Sequence, residues 1–525
     1  MNQEVIVVKA YEPTVSDAYK VNFTPEISDT LPVVIQFMYT IEPEMPKINF
    51  EPEPISPAKV TGEPLSPLYR AYVKGAGGNY TSFLGEAGFN VLRNKDYTAA
   101  FLYKHQSSIS KIKLANDFKS PASYSDNMFR MSGEKFLMAK SLYGDAWFNR
   151  NVFHYYGFNP YFDTALVKKD IRQRIMDIGT KIGYKSYFPD SSRLNYDFAL
   201  GYNFFEDLLK NYQNNVTADI RFINFYKKER LGLNVHVNFF NHISTLDTVN
   251  NGIVRLNPHV RFFGDKWRIE TGISLDVDAY TDNISYHYYP NVFLQYNVIE
   301  DLFIPYFGFS GGIMANDISS ITRENPFVIP GTHVKNTNHL IDLNAGFKGR
   351  FSRTLSFNLW GKYSVIENMY FFLPDTNGIE NQFRVVYDNV ELMHFRGEFA
   401  LKTSEKVNVF LTANYYHYQT DSQSYAWHKP IYDATLAFKY NIKDKIIAGL
   451  DVFNQSETYS MIWNPAPETI KVKSFVDVSL NLEYRYTKVL SAYLMVNNIT
   501  HRKNYYWSHY PTQRFNVMAG VSYVF

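Results

Sequence analysis

Apolar and polar residues alternate with period 2 over long stretches of this chain. In the terminal run TQRFNVMAGVSYVF, Phe515, Val517, Ala519, Val521, Tyr523 and Phe525 are apolar, while Arg514, Asn516, Gly520 and Ser522 interleave. Phe475 to Tyr486 repeats the pattern: Val476, Val478, Leu480, Leu482, Tyr484 and Tyr486 share one face, and Asp477, Ser479, Asn481, Glu483 and Arg485 the other. Further copies occur at Leu194 to Phe204, Leu231 to Phe239, Val407 to Tyr415 and Tyr432 to Ile442. Such alternation is the mark of strands with one face in an apolar medium and the other in water. The runs are about 10 residues or longer, the length a tilted strand needs to cross a bilayer. A soluble β-sandwich would show shorter strands and would not gather Tyr and Phe so persistently at strand ends, where membrane barrels carry aromatic girdles.

Connections test this reading independently, because outer-membrane barrels alternate short periplasmic turns with longer external loops. Short polar turns are expected at 94–96, 143–145, 189–192, 227–229, 264–266, 300–301, 352–353, 404–405, 443–444 and 486–488. Longer stretches lie between them around 107–127, 158–168, 315–336, 369–387, 420–429, 458–471 and 499–511. The expected fold is all-β, a transmembrane antiparallel barrel over 68–525 with about 22 strands, within a range of roughly 18–22. Pro258 and Pro305 fall inside expected strands, and because a closed barrel offers no free edge either a bulge is expected at each or the strand count drops.

Composition narrows the function. The 525 residues include 42 Tyr and 42 Phe, with aromatic content at 17% and charged content at only 20%. No run of about 18 or more apolar residues occurs, which excludes a helical span but not strands. With no Cys, thiol catalysis and cysteine-ligated zinc are excluded. The net charge of +2 argues against nucleic acid as a partner. No secretion signal precedes Met1, so the start reads as processed or never exported.

Charge is nonetheless uneven. Residues 1–67 hold ten acidic residues and four lysines, a balance of −6, and ten of the 23 prolines. Proline prevents a continuous helix or sheet there, and too few apolar residues stand in register for an independent core. An acidic, stiff segment of this kind can be drawn into the lumen by cations such as Lys439, Arg485 and Arg514, or can capture a periplasmic or lipoprotein partner. The lumen is preferred, because a wide unobstructed barrel would be a damaging hole.

A strand count near 22 points to plugged transporters rather than porins. The end of the chain, LSAYLMVNNITHRKNYYWSHYPTQRFNVMAGVSYVF, resembles the last two strands of TonB-dependent receptors: an Asn-rich step, an aromatic loop, an Arg-initiated final strand and a terminal Phe. The resemblance implies a Gram-negative outer-membrane barrel, surrounded by outer-membrane lipid, in which Phe525 resembles the signal read by the insertion machinery. Near the start, Glu4, Val5, Ile6, Val7 and Val8 resemble the family's energy-coupling box, although a strand added to a sheet edge is the plainer and preferred reading of them. The resemblance departs between Lys9 and Pro67, which is too short for a conventional plug and lacks its glycine-rich signatures.

Candidate sites are few. Trp427, Trp463, Tyr505, Tyr506 and Trp507, with Arg502 and Lys503, fall on external loops and could stack on a ligand or partner; aromatics at that height also anchor barrels at the lipid interface. Asp276, Asp278 and Asp282 in DVDAYTD are a candidate calcium set, with solvated loop acids as the plainer alternative. His236, between Asn234 and Asn238 on a wet face, has no serine placed beside it, so no enzyme is expected and no cofactor is called for. The functions that remain are uptake of a bulky solute, a scaffold or secretion-complex subunit, and a porin.

Overall fold

The computed structural model describes residues 69–525, apart from 93, 116, 160–166, 189–192, 245–247, 282, 301, 333, 404–405 and 464–465. Residues Glu4 to Val8 and Asp282 therefore lie outside the described residues. The chain divides into Met1–Leu68 and Tyr69–Phe525, and only the second is described.

Hydrocarbon offers backbone groups no hydrogen-bond partner, so a spanning sheet has to close on itself. Here 22 strands form one closed antiparallel sheet. Closure is made by the first strand, Ala71–Gly78, which pairs with Ser82–Asn90 on one side and with the last strand, Asn516–Val524, on the other. Phe525 completes the seam: its amide donates to the Ala71 carbonyl at 2.9 Å, and its carbonyl accepts from the amides of Arg70 and Ala71. Residues of the apolar faces, such as Leu200, Phe239, Tyr484 and Val521, are exposed on the outside, where they meet lipid.

The expected turns at 189–192 and 404–405, and the second residue of that at 300–301, lie outside the described residues; among the described residues the others fall as the sequence indicates, with one exception. Tyr143-Gly144-Asp145 is not a turn but the middle of strand Lys140–His154, where Arg130 Nε donates to Asp145 Oδ1 at 3.1 Å. The reversal lies at Met138 and Ala139, with Met138 at φ 31°. A Gly-Asp step reads as a turn locally, but the cross-strand ion pair and the Gly133↔Gly144 pairing keep it extended. Neither proline makes a bulge. At Pro258 the ladder to Trp267–Tyr280 skips two residues and resumes in the same register, and Pro305 sits at the start of its strand.

The real irregularity is nearby. Strand Asn283–Tyr296 pairs along its whole length with Trp267–Tyr280, but only Val292 to Gln295 pair with strand Ile304–Met314. Past Ser310 the latter strand shifts register, and its end turns onto the inner wall. There Arg255 Nη2 donates to the Ile313 carbonyl at 2.6 Å, and the Ile313 amide donates to Asp276 Oδ2 at 3.1 Å. Arg255 grips Asp276 through Nε and Nη2, and Ser274 Oγ donates to Asp276 Oδ1 at 2.8 Å. Ile253, Tyr289 and Ile313 close a small apolar cluster around this hook. Among the described residues the outer half of Asn283–Tyr296 has no strand paired on its second edge, and Ile284, Tyr286 and Tyr288 are 62–78% exposed.

Two side chains thus replace the wall partners that the Ile313 peptide has lost. Removing either half of a buried ion pair costs about 3–5 kcal/mol. Asp276→Ala and Arg255→Ala should each lower stability in urea unfolding of the lipid-reconstituted barrel. The double variant should fall short of the sum by about 0.5–3 kcal/mol, whereas additive losses would show that the two do not act as one hook.

Candidate functional site

Strands Leu355–Pro374 and Phe383–Thr403 are 20 and 21 residues long, about twice what crossing requires, so their outer ends extend beyond the membrane. There they meet the described parts of the segments 155–171, 315–336, 421–431, 456–474 and 498–515. Ile321, Val328, Val334, Phe372, Phe383 and Tyr510 form a buried cluster, flanked by Tyr156, Phe327, Tyr370 and Trp507. Phe327 stacks on Tyr510 with ring centroids 3.6 Å apart, and Trp507 meets Phe372 edge-on at 5.1 Å. Segments distant in sequence therefore share one apolar core, a cap built of loops.

Hydrogen bonds fix its parts. The loop holding the short helix Ile318–Glu324 reaches across to strand Arg172–Ser186, where Ser319 Oγ donates to Asp177 Oδ2 at 3.2 Å, and to Gln213, whose Oε1 accepts from the Ile318 amide at 3.1 Å. The Ile329 amide donates to the Phe383 carbonyl, and the Phe383 amide to the Phe327 carbonyl, each at 2.9 Å. Tyr156 donates to the Pro511 carbonyl at 2.9 Å, and the Trp463 amide donates to Glu380 Oε1 at 2.8 Å. Burial pushes the Tyr510 phenol well above its usual range.

His428 is the buried titratable group at the centre. Its Nδ1 lies 2.8 Å from the Phe372 carbonyl and so carries the proton, and its Nε2 accepts from the Ser508 amide at 3.2 Å. Burial pushes this imidazole down to about 4; the Phe372 carbonyl opposes the shift, and His509 and Lys429 add to it.

Between the cap and the wall lies a cavity of about 350 Å³, lined among others by Tyr124, His154, Tyr156, Phe327, Asp477 and Arg514. Its walls come from strands near both ends of the chain, joined through barrel closure.

No family model and no curated protein matches the sequence. Among solved structures, the pyoverdine outer membrane receptor FpvA from Pseudomonas aeruginosa PAO1 bound to pyoverdine aligns with a TM-score of 0.66 at 13% identity, over 87% of this chain and 78% of that one. The FrpB iron transporter from Neisseria meningitidis gives 0.66 at 10% identity, over 88% and 82%. The siderophore receptor PirA from Acinetobacter baumannii gives 0.66 at 10%, over 87% and 80%. The fold is that of a TonB-dependent receptor barrel. In such a barrel the outward apolar band places the protein in the Gram-negative outer membrane.

The barrel distributes the expected loop residues unevenly. Trp427 is 4% exposed, packs with Phe371, Leu373 and Val390, and donates from Nε1 to Gln423 Oε1 at 2.8 Å. Trp507 is part of the cap core. Tyr506 leans on Phe475 at 4.9 Å, while Tyr505 is half-buried. Trp463 and Arg502 are exposed, and Lys503 donates to the Leu114 carbonyl at 2.9 Å. Of the acidic set, Asp276 is committed to the Arg255 hook, and Asp278 Oδ1 accepts from Asn336 Nδ2 at 2.7 Å. His236 lies 2.6 Å from Asp219, which also accepts from Lys181 at 2.7 Å, so it belongs to an ion cluster on the lumen wall.

None of the expected loop residues lines the cavity. His154 and Asp477 do, and the sequence offers only one clue: Asp477 is the first acidic residue on the wet face of its strand.

Phe383 is fully buried in the cap, and Phe383→Ala should remove about 3–5 kcal/mol of its stability. Protease cleavage within 375–382 should then quicken by about two to nearly four orders of magnitude, while the barrel stays intact on gels. Because the cap holds His428 neutral, its contribution is complete above the ordinary value of 6.5 and is lost as pH falls toward 4, a change of about 3 kcal/mol. Acrylamide quenching of tryptophan should therefore rise between pH 6.5 and 4 in the native protein, and rise less in His428→Gln.

Proposed function

We propose that the chain is a non-enzymatic receptor barrel that takes part in uptake of a bulky solute across the outer membrane, without a plug of the conventional kind. The observation that carries this reading is the cap: the external mouth is covered by a core of interlocking loops above a cavity, which suits a gate better than a standing pore. The aligned structures include, by name, a siderophore receptor and an iron transporter, which agrees with uptake as the class of activity. Trp463 and Arg502, exposed on the loops, are then first-contact residues for solute or partner, and residues 1–67 are the segment through which coupling, lumen filling or partner capture occurs.

Planar-bilayer conductance separates this reading from its rivals. The intact protein should be closed, and a large pore should open only when deletion of residues 1–67 is combined with the cap-loosening Phe383→Ala. Steady conductance of the intact protein would favour a porin. Silence of both forms, together with a partner retained in mild detergent, would favour a scaffold.

A further inference from the structure

The cavity beneath the cap holds two opposite charges that do not neutralise each other. Asp477 and Arg514 both line it, yet they form no ion pair. Among the described residues, the Arg514 guanidinium makes no ion pair and no hydrogen bond, although Lys503 and Tyr505 lie close enough to feel its charge. The Asp477 carboxylate is met on one side by the backbone amides of Asn498 and Val478, but its Oδ1 is buried without a hydrogen-bond partner. A buried carboxylate oxygen left without a partner is costly unless something else completes it, and the half-exposed guanidinium on the same cavity wall has a positive charge that no neighbouring carboxylate among the described residues pairs.

Two further lining residues share this condition. His154 is 4% exposed, and its Nδ1 lies 2.6 Å from the Ser123 carbonyl and so carries the proton. Its Nε2 is thus a lone-pair acceptor, and it has no donor. Thr512 Oγ1 is likewise buried without a partner. The unmet needs are therefore donors for Asp477 and His154, and an anion for Arg514. Phe153, Tyr156 and Phe327 add an aromatic wall. A cavity of about 350 Å³ is within the range used for small organic ligands.

We propose that this cavity binds a zwitterionic amino acid or short peptide, its carboxylate on Arg514, its ammonium on Asp477 and His154, and its side chain against the aromatic wall. A polyhydroxyl solute would satisfy Asp477 and His154 but would leave the guanidinium without an anion. This gives the solute of the uptake reading a chemical class, and the site itself stands on binding alone.

The test is calorimetric titration of the full chain in detergent micelles with L-phenylalanyl-L-alanine, its N-acetyl form, its C-terminal amide and maltotriose. The free dipeptide should bind, and each blocked form should bind roughly tenfold or more weakly, as expected for loss of a charge-assisted hydrogen bond. R514Q should weaken the free dipeptide to the level of the amide and leave the amide unchanged; D477N should do the same for the acetylated form. Equal binding of blocked and free peptides, binding of maltotriose in competition with the dipeptide, or no binding of the dipeptide would each overturn the proposal. The ligand comparison on native protein holds even if a variant misfolds. Binding without uptake by cells carrying the barrel would instead count against the transport reading and leave the site standing.

Discussion

Every backbone amide and carbonyl that crosses the hydrocarbon has to find its partner inside the protein, and the rest of this structure follows from that constraint. It dictates closure of Ala71–Gly78 against Asn516–Val524, and it makes the wall a poor place for invention. Even the exception obeys it: where strand Ile304–Met314 leaves the ladder, the Arg255–Asp276 pair takes over both polar groups of the Ile313 peptide. Such an ion pair is expensive to desolvate, and it is held here by several directed hydrogen bonds. Function is left to the lumen and to the outer ends of the strands.

Those outer ends behave like a small protein domain assembled from loops. The strands Leu355–Pro374 and Phe383–Thr403 carry Phe372 and Phe383 beyond the membrane, and loops from across the barrel add Ile321, Val328 and Tyr510. Apolar burial drives this assembly, and hydrogen bonds such as Ser508 to His428 select one arrangement of it. Because the cap consists of loops, its stability is separable from that of the wall, which is what a gate requires. The cavity lies where cap and wall meet, so opening the one alters access to the other.

The wall was legible because its determinants are local. Period-2 alternation gives the strands, and polar steps such as Lys443-Asp444 give the turns; both have positive φ where the chain reverses. The error at Tyr143 to Asp145 arose where a cross-strand partner overrides a local signal, whereas Pro258 is accommodated by two omitted ladder pairs and Pro305 by its place at a strand start. The cap was not legible, since Phe327 and Tyr510 stand nearly 200 residues apart and nothing in either neighbourhood announces the other. Trp427 illustrates the limit: a loop tryptophan reads as a ligand platform, yet this one is interior because Phe371 and Val390 surround it. His154 and Asp477 were equally hidden, their meeting in one cavity being a product of barrel closure.

The central claim is that the external mouth is closed by a folded core and not by loose loops. Amide hydrogen exchange on the full chain in lipid nanodiscs tests it directly, at Ile329, Phe383 and Ser508, whose amides bond across the cap. The account predicts protection at these three within an order of magnitude of that in the closing strand Asn516–Val524. Complete exchange of all three at the rate of unstructured peptide, with the wall still protected, would contradict it.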